Sequence, residues 1–431
     1  MDVEQSRFRQ IIGERGTGWR RFMLTFWALL GPGILATLAN NDAGGVIAYA
    51  VTGVKFGIGL FIPLVICLAP LSFTIQEMSM RLGAVTQVGF ARLALQRYGR
   101  FWGYYNILAL VFENLLTLVT EFIGMSAGLV LLGIPLWLAV MICLALVVTF
   151  VLLTGYWTKE RIALGIGALN ASFLLVAAMT HPSLEKIGHA FAAWNVPVAD
   201  HGEVTFYVIA TIGNAIAPWM IFFQGSGTID KGVTSEELRF SRIDTALGCV
   251  LQVIIAAGII ICGAALYSRV QDVGSAGPAN IIDSFNQIVG RWPAIIFGFG
   301  LFNAGFLASI TVSLSSSWSI AELFGWSKSL NDKLSEAPKF YAIYIGSLVL
   351  AALIVLIPSL PLNLIAIITQ VLGGILMLPV LIFMVLMTSD KRLMGEHRTR
   401  LPSKIWSWAM VALLLGLTLV AFWQTFTNFN F

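Results

Sequence analysis

The stretch LANNDAGGVIAYAVTG, Leu38–Gly53, decides the fold class, because it places polar residues where the surrounding sequence is apolar. Asn40, Asn41 and Asp42 follow one another near the middle of a long apolar run, and two glycines come directly after Ala43. In lipid, a charge and a broken helix are both costly. The stretch therefore predicts an unwound helix segment that lines a cavity. The alternative is a site of close helix packing, with a carboxyl group that is protonated or paired inside the bundle.

The composition places this stretch in a membrane protein. Only 11% of the 431 residues are Asp, Glu, Lys or Arg, and 58% are hydrophobic. Soluble globular chains carry about 25% charged residues, so this chain has too few charges to cover the surface of a soluble protein of its size. Disorder is excluded as well, because disordered chains are poor in apolar side chains.

Eleven apolar stretches are long enough to cross a bilayer, which takes roughly 20 residues of helix. They run over residues 22–52, 57–80, 102–131, 135–156, 162–180, 205–228, 244–268, 292–324, 340–358, 362–387 and 403–426. The fold class is therefore that of an all-α polytopic membrane protein with eleven transmembrane helices. Residues 88–100, between the second and third stretches, predict a short amphipathic helix at the membrane surface.

The distribution of basic residues predicts the orientation of these spans. If the N-terminus lies in the cytoplasm, 22 of the 26 Lys and Arg residues fall in the inner segments. The four in the outer segments are Lys55, Lys186, Arg269 and Arg291. Under the positive-inside rule, this split predicts an integral protein of the plasma (inner) membrane, with a cytoplasmic N-terminus and a C-terminus outside.

A second interruption lies in the sixth span, within TIGNAIAPWMIFFQGSG, Thr211–Gly227. Pro218 has no backbone donor, and its ring clashes with the carbonyl group four residues earlier, that of Asn214. A lone proline kink would be ordinary packing. Spans 1 and 6, however, open two blocks of five spans, and an odd number of spans gives the second block the opposite orientation. Paired broken helices in two inverted halves point to a transport site in the middle of the membrane.

The inverted halves also predict how the chain is divided. The predicted segments are a cytoplasmic arm at 1–21, a first inverted repeat at 22–180, an extracellular loop at 181–204, a second inverted repeat at 205–387, a cytoplasmic loop at 388–402, and the eleventh span with the outer C-terminus at 403–431. No large soluble domain is expected between the spans.

The residues at the two breaks predict a site for a hard cation. Asp42 supplies a negative charge, and the ends of broken helices supply carbonyl oxygens with partial negative charge. The neutral oxygen donors are the side chains of Asn40, Asn41, Asn214 and Gln370. No histidine lies within a predicted span, so this oxygen set favours Mg²⁺ over Mn²⁺, Fe²⁺ or Zn²⁺. One carboxylate is too little to strip Mg²⁺ of its water, so the ion is expected to keep several water molecules.

Two further acids, Glu113 and Glu121, fall inside the third predicted span. A charge at this depth is costly, and acids there often mark ion or proton pathways. Either acid could line the pathway or exchange protons. Either could instead be a protonated carboxyl group bonded to a neighbouring residue, and the sequence leaves both readings open.

Five stretches resemble the natural resistance-associated macrophage proteins (Nramp), which are proton-coupled importers of Mn²⁺ and Fe²⁺. They are GPGILATLANNDAGG at 31–45, TEFIGMSAGLVLLGIPL at 120–136, GNAIAPW at 213–219, RFSRIDTAL at 239–247 and QVLGGILMLPVLIFMVLMTSDKRLMGE at 370–396. Their order and spacing agree with the family over most of the chain. The resemblance implies the inverted-repeat fold of the sodium-coupled amino-acid transporters, with alternating access.

The chain departs from the family pattern at positions that the family uses for its ion and its protons. Gly45 stands where the family has a metal-binding Asn, and Ala217 where it has a Met thioether. Trp219 replaces a His implicated in proton handling, and Leu118 replaces an acid. The stretch APKFYAIYIG at 337–346 lacks the arginines expected there for proton release. These losses resemble the prokaryotic Nramp-related magnesium transporters, which implies a wider site, a hydrated ion and no proton coupling.

Other positions agree with the family, and together with the breaks they define the predicted site. The predicted ion-binding residues are Asp42, Gly45, Asn214, Ala217 and Gln370. The predicted pathway-lining residues are Asn41, Glu121 and Trp219. Gly45 and Ala217 are small, and we expect them to leave room for water.

The sequence thus predicts a transporter of divalent metal ions that takes up partly hydrated Mg²⁺ without proton coupling. The first alternative is a proton-coupled Mn²⁺ or Fe²⁺ transporter, and the second is a sodium-coupled symporter of a small organic substrate. An intramembrane enzyme is not expected, because the HExxH motif is missing and no histidine lies within a predicted span. We expect no cofactor, no nucleic-acid partner and a monomer in the lipid bilayer, with Mg²⁺ as the transported ion and Mn²⁺ as the second candidate.

Overall fold

The computed structural model describes residues 30–152, 156–196, 201–267, 269, 278–358 and 360–428. In these ranges all regular secondary structure is helical. The predicted cytoplasmic arm and residues 22–29 of the first predicted span lie outside the described residues. The orientation in the membrane and the division of the chain into segments stay predictions.

The helices of the first half follow the first five predicted spans in order. They are α1 (Pro32–Ala39), α2 (Ala43–Phe56), α3 (Phe61–Cys67), α4 (Ala69–Thr86), α5 (Phe90–Tyr98), α6 (Arg100–Val130), α7 (Leu136–Leu152), α8 (Tyr156–Ala168), α9 (Ser172–Met179) and α10 (Leu184–Ala193). The first span is divided between α1 and α2, as its sequence predicts. The amphipathic helix predicted at 88–100 is α5.

The helices of the second half follow the remaining spans. They are α11 (His201–Ala215), α12 (Pro218–Asp230), α13 (Leu238–Ala264), α14 (Pro278–Ile288), α15 (Arg291–Phe324), α16 (Pro338–Val355), α17 (Leu362–Ser389), α18 (Lys391–Met394) and α19 (Leu401–Asn428). The sixth span is divided between α11 and α12. The segment 181–204, predicted as an extracellular loop, contains the short helix α10, and α14 lies between the seventh and eighth predicted spans.

Length and hydropathy bear out the predicted spans. Within the described residues, nine helical segments are long and apolar enough to cross a membrane, and two shorter apolar helices, α2 and α7, complete the series. Helix α2 is short because the break separates it from α1. Each of the eleven predicted stretches therefore coincides with at least one apolar helix.

Burial distinguishes the centre of the bundle from its edge. In its most apolar window, the segment Gly202–Asp230 is 89% buried, whereas Leu401–Ala421 is 28% buried. Every residue of α1 is buried as well, and α2 is buried except at Lys55. Helix α2 packs against α6, α13 and α17, and α1 packs against α12 and α13. The two broken spans thus lie inside the bundle, while α19 lies at its periphery.

Three charged side chains hold the beginning of α1, and we call them the α1 clamp: Glu160, Lys231 and Asp244. The two carboxylate oxygens of Asp244 accept hydrogen bonds from the backbone N–H groups of Gly31, at 3.1 Å, and Gly33, at 2.8 Å. A carboxylate at this end is favourable, because the first N–H groups of a helix have no partner within the helix.

The other two clamp residues form a buried ion pair. Lys231 Nζ lies 2.9 Å from both carboxylate oxygens of Glu160 and donates a hydrogen bond to the backbone carbonyl of Leu30 at 3.1 Å. The two side chains are 0% and 2% exposed. A β-carbon at Gly31 would overlap the Glu160 carboxylate. Glycine is therefore needed at this position, because the backbone of the chain approaches the ion pair closely.

Candidate functional site

The break in the first span occupies the three residues that the sequence singled out. Helix α1 ends at Ala39 and α2 begins at Ala43. Asp42 caps α2, since its Oδ1 accepts a hydrogen bond from the backbone N–H of Gly45 at 2.5 Å. The predicted interruption is confirmed, and it places the Asp42 carboxylate at the N-terminus of α2. Capping uses one of the two carboxylate oxygens.

The break in the sixth span is shorter. Helix α11 ends at Ala215, and α12 begins at Pro218, which takes the first helical position, where the absence of an N–H group costs nothing. Ile216 and Ala217 lie between the two helices and are buried. The predicted effect of Pro218 is therefore confirmed as a complete helix break rather than a kink.

The two breaks lie in direct contact. Asn40 Nδ2 donates a hydrogen bond to the backbone carbonyl of Asn214 at 2.5 Å. A β-carbon added to Gly45 would overlap the amide of Asn214. The space that Gly45 was expected to leave for water is therefore filled by this amide. The Asn214 carbonyl oxygen keeps a second lone pair, so both it and the side-chain oxygen remain available to a ligand.

Glu121 is attached to the same break from α6. Its Oε2 accepts a hydrogen bond from the backbone N–H of Ala43 at 2.8 Å, and its Oε1 lies 3.3 Å from the hydroxyl of Thr120, which donates to the carbonyl of Thr117 at 2.7 Å. In the first turn of α2, Glu121 thus accepts from the N–H group of Ala43, and Asp42 accepts from that of Gly45. The sequence predicted Glu121 as a pathway residue, and in the structure its carboxylate is bonded to Ala43, the residue that follows Asp42.

Gln370 reaches the break from α17. A β-carbon at Gly44 would lie 2.6 Å from the Thr120 hydroxyl and 2.8 Å from Gln370 Nε2. Gln370 is buried, and its Nε2 has no hydrogen-bond partner among the described residues. We predicted Gln370 as an oxygen donor, but the amide nitrogen is the atom directed at Gly44. A half-turn of the amide would present the oxygen instead.

Gln252 of α13 connects the two breaks, and the sequence reasoning missed it. Its backbone carbonyl accepts a hydrogen bond from Asn41 Nδ2 at 3.0 Å, and its own Nε2 donates to the carbonyl of Ala215 at 3.2 Å. Ser72 donates to Gln252 Oε1 at 3.1 Å. A glutamine inside an apolar span was the signal available, because a polar side chain there must find partners.

The remaining predicted residues lie around the second break. Glu113 accepts a hydrogen bond from Thr117 at 3.0 Å, and its Oε2 has no partner among the described residues. A β-carbon at Gly373 would contact both Glu113 Oε1, at 3.5 Å, and Pro218 Cδ, at 3.8 Å. Trp219 is fully buried and packs edge-on against Phe223.

Both amide oxygens and N–H donors are left without partners at the breaks, the donors among the described residues being Asn214 Nδ2, Gln370 Nε2 and Trp219 Nε1. Within the described residues, Asn40 Oδ1, Asn41 Oδ1 and Asn214 Oδ1 are buried and accept no hydrogen bond. The described residues contain no group of three or more His, Cys, Asp or Glu side chains placed to hold a metal ion. Buried polar atoms without partners cost roughly 1–3 kcal/mol each, which a cation beside Asp42 would offset. The breaks therefore offer a cation one carboxylate and several neutral oxygen ligands.

The sequence matches the family described as natural resistance-associated macrophage protein-like over residues 33–424. A curated relative is the divalent metal cation transporter MntH of Levilactobacillus brevis, which is 24% identical over 92% of this chain and 89% of the relative. A second is the protein of the same name from Pediococcus pentosaceus, which is 26% identical over 94% of this chain and 93% of the relative.

Solved structures share the fold. The manganese transporter of Eremococcus coleocola superposes with a TM-score of 0.77 at 20% identity, covering 97% of this chain and 91% of that chain. MhsT, solved in complex with L-phenylalanine, superposes with a TM-score of 0.60 at 16% identity, covering 91% and 98%. The predicted all-α polytopic fold, with its two inverted five-helix repeats, is thereby confirmed.

Proposed function

The chain belongs to the natural resistance-associated macrophage protein-like family, and on that premise we propose that it carries divalent metal cations across the membrane. Transport proceeds by alternating access around the two breaks, with Asp42 as the charged anchor. The relatives named above are divalent metal cation transporters, which supports this class of substrate.

One observation carries the proposal. The two helix breaks meet in the centre of the bundle, where the Asp42 carboxylate lies among buried amide oxygens that have no partner among the described residues. Such a site attracts a cation and offers it oxygen ligands. The membrane potential would assist uptake by about 2.3 kcal/mol per charge per 100 mV, and by about twice that for a divalent ion.

Mg²⁺ is the ion that the ligand chemistry favours. The available donors are carboxylate and amide oxygens, and the thioether and imidazole positions of the family are Ala217 and Trp219 in this chain. Hard oxygen ligands suit Mg²⁺, which keeps several water molecules when it is bound by one or two carboxylates. With the His missing, and with Leu118 in place of an acid, uptake would proceed without proton movement.

Mn²⁺ with proton coupling is the second candidate, and the similarity to known proteins favours it at least as strongly. The neighbour from Eremococcus coleocola is a manganese transporter. In this structure the Asn214 amide fills the space beside Gly45, and a narrow site of this kind favours an ion that has lost more of its water. Glu113 and Glu121 are the acids in α6 that would then bind and release the protons.

Ion flux into proteoliposomes tests the proposal and separates the two ions. Vesicles containing the full chain would hold dyes for Mg²⁺, Mn²⁺ and pH, under an inside-negative potential. If the chain carries Mg²⁺ without proton coupling, Mg²⁺ enters while the internal pH stays constant. If the chain couples Mn²⁺ to protons, Mn²⁺ enters, the vesicle interior becomes more acidic, and little Mg²⁺ enters.

Asp42→Ala should abolish the flux of either ion, because it removes the charge at the break. The matched control is Glu185→Gln, which removes one carboxylate from an exposed position on α10, outside both breaks. Flux that survives Asp42→Ala would contradict the proposed site. Vesicles that admit neither ion, but take up a small organic solute when Na⁺ is supplied, would identify the sodium-coupled alternative.

A further inference from the structure

A polar cavity of about 530 Å³ lies at the end of the bundle where α4, α13 and α19 meet the loop at 395–400. It is remote from the helix breaks in sequence and shares no lining residue with them. Four arginines and two glutamates line it, together with the aromatic rings of Phe73 and Trp406. The cavity is therefore rich in cationic groups, and these groups have no role in the proposed ion pathway.

Arg81 shapes the cavity but is not available to a ligand. Its guanidinium donates to the backbone carbonyl of His397 at 2.5 Å and to the hydroxyl of Thr399 at 3.1 Å, and it pairs with Glu77 at 3.0 Å. Arg81 is 5% exposed. A buried arginine with this many partners fixes the loop against α4.

Thr399 determines where its two neighbours point. Its backbone N–H donates to the carbonyl of Thr388 at 2.8 Å, and its side chain is buried. Arg398 and Arg400 on either side are exposed and line the cavity. In the part of the chain that the structure describes, neither of them forms an ion pair. Two cationic groups are thus presented to the cavity without an acidic partner.

Other basic residues on this face are differently placed. Arg97, outside the cavity, pairs with Asp390 at 2.5 Å. The backbone N–H of Arg392 and the guanidinium of Arg97 hold the pKa of Asp390 below its ordinary value, so this pair stays charged. Arg242 lines the cavity and shares Glu77 with Arg81, at 2.9 Å. Among the described residues, Arg398 and Arg400 differ from both in having no acidic partner within ion-pair distance.

The opposite wall of the cavity belongs to the lipid-facing surface. Trp406 Nε1 donates to the hydroxyl of Thr74 at 3.0 Å, which joins α19 to α4. Trp406 is 47% exposed, and its neighbours on α19, Leu401 and Ile405, are 70% and 63% exposed. Tryptophan at the end of a peripheral membrane helix is typical of the lipid headgroup level. The arginines therefore lie beside an apolar surface that acyl chains can cover.

We propose that this cavity binds the headgroup phosphate of an anionic phospholipid, with Arg398 and Arg400 on the phosphate and the acyl chains along α19. Guanidinium groups bind phosphate through paired N–H donors, and basic pockets beside transmembrane helices take anionic headgroups. A phospholipid is favoured over a free phosphate compound, because the cationic wall and the exposed apolar helix adjoin. A soluble phosphate would use only the first of these surfaces.

Thermal unfolding of the full chain in detergent tests this site. Phosphatidylglycerol should raise the unfolding midpoint by about 3 °C more than phosphatidylcholine does, and added salt should reduce that difference. The double variant Arg398→Gln with Arg400→Gln should lose most of the difference. Its midpoint without lipid should equal that of the wild type, because both side chains are exposed and without ion-pair partners in the described chain.

The matched control is Lys391→Gln with Arg392→Gln, which removes two charges from the same loop region outside the cavity and should keep the full difference. Equal stabilisation of the two double variants by phosphatidylglycerol would overturn the proposed site. Glycerol 1-phosphate serves as the third ligand at the same phosphate concentration. A shift as large as that of the lipid would show a site for free phosphate compounds and overturn the assignment to a phospholipid.

Discussion

The two ends of α1 are equally buried but differ in how their polar groups are satisfied. At its beginning, the N–H groups of Gly31 and Gly33 and the carbonyl of Leu30 are all bonded to the α1 clamp. At its end, the amide oxygens of Asn40 and Asn41 are buried and have no partner among the described residues. This helix of eight residues therefore connects a region in which these polar groups are hydrogen-bonded with a region in which buried amide oxygens are not.

This difference separates a structural role from a binding role. Native interiors bond nearly all their buried polar groups, so unbonded amide oxygens next to a carboxylate are expected to meet a water molecule or a cation. The clamp holds charges whose partners belong to the chain, and loss of one partner should reduce stability. The breaks hold groups whose partner would be the transported ion, and their loss should reduce ion binding. The predictions below test this separation.

The largest effect is expected in the clamp. Glu160→Met leaves the buried Lys231 ammonium without its carboxylate, which should cost about 3–5 kcal/mol of stability. The thermal unfolding midpoint in detergent should fall accordingly. Adding Lys231→Met should restore most of the loss, because an apolar pair replaces a buried ion pair at little cost. A double variant as unstable as the single one would contradict the pairing.

Asp42→Asn should have the next largest effect, on ion binding. The amide oxygen can still accept the hydrogen bond from Gly45, so the cap of α2 remains while the charge is lost. Ion affinity, measured by titration calorimetry in detergent, should fall about 100-fold, which is about 2.7 kcal/mol. The unfolding midpoint should hardly change. A large fall in the unfolding midpoint, without loss of ion affinity, would show that Asp42 has a structural role like that of the α1 clamp.

Gln252→Leu tests the connection between the two breaks. It leaves the Ala215 carbonyl and the Ser72 hydroxyl without their partner, at a cost of about 1–3 kcal/mol. Because Asn41 bonds to the backbone of residue 252, that contact remains. We expect a lower unfolding midpoint together with a moderate loss of ion flux. An unchanged midpoint would show that Gln252 does not hold the breaks together.

Asn214→Ala should produce the smallest change, and only in ion binding. Among the described residues the amide group has no partner in good hydrogen-bond geometry, and the Tyr49 hydroxyl is the one group close enough to interact with it, so its removal costs at most that one weak contact. We expect about a tenfold loss of affinity, or about 1.4 kcal/mol, with an unchanged unfolding midpoint. Asn40 would still donate to the backbone carbonyl at position 214. Unchanged affinity would remove this amide from the ion site.

The helix breaks could be predicted because their causes are local. Pro218 interrupts hydrogen bonding within its own helix, and Asp42 caps the helix that follows it. The contacts between the breaks could not be predicted in this way. The bond from Asn40 to the Asn214 carbonyl joins residues 174 positions apart, and no periodicity indicates it. For the same reason Gln252 was missed, and the atom of the Gln370 amide that faces Gly44 could not be predicted.

The sequence by itself determined that this is a helical membrane protein, where its spans lie and which two of them are broken, because hydropathy and backbone chemistry act over a few neighbouring residues. Only the tertiary structure decided which polar groups find partners. It closes the space beside Gly45 with the Asn214 amide and encloses the Glu160–Lys231 pair at the other end of α1. Whether a buried polar group finds a partner depends on which helices pack together, so the polar groups at one end of α1 are bonded within the protein while amide oxygens at the other end are left unbonded among the described residues.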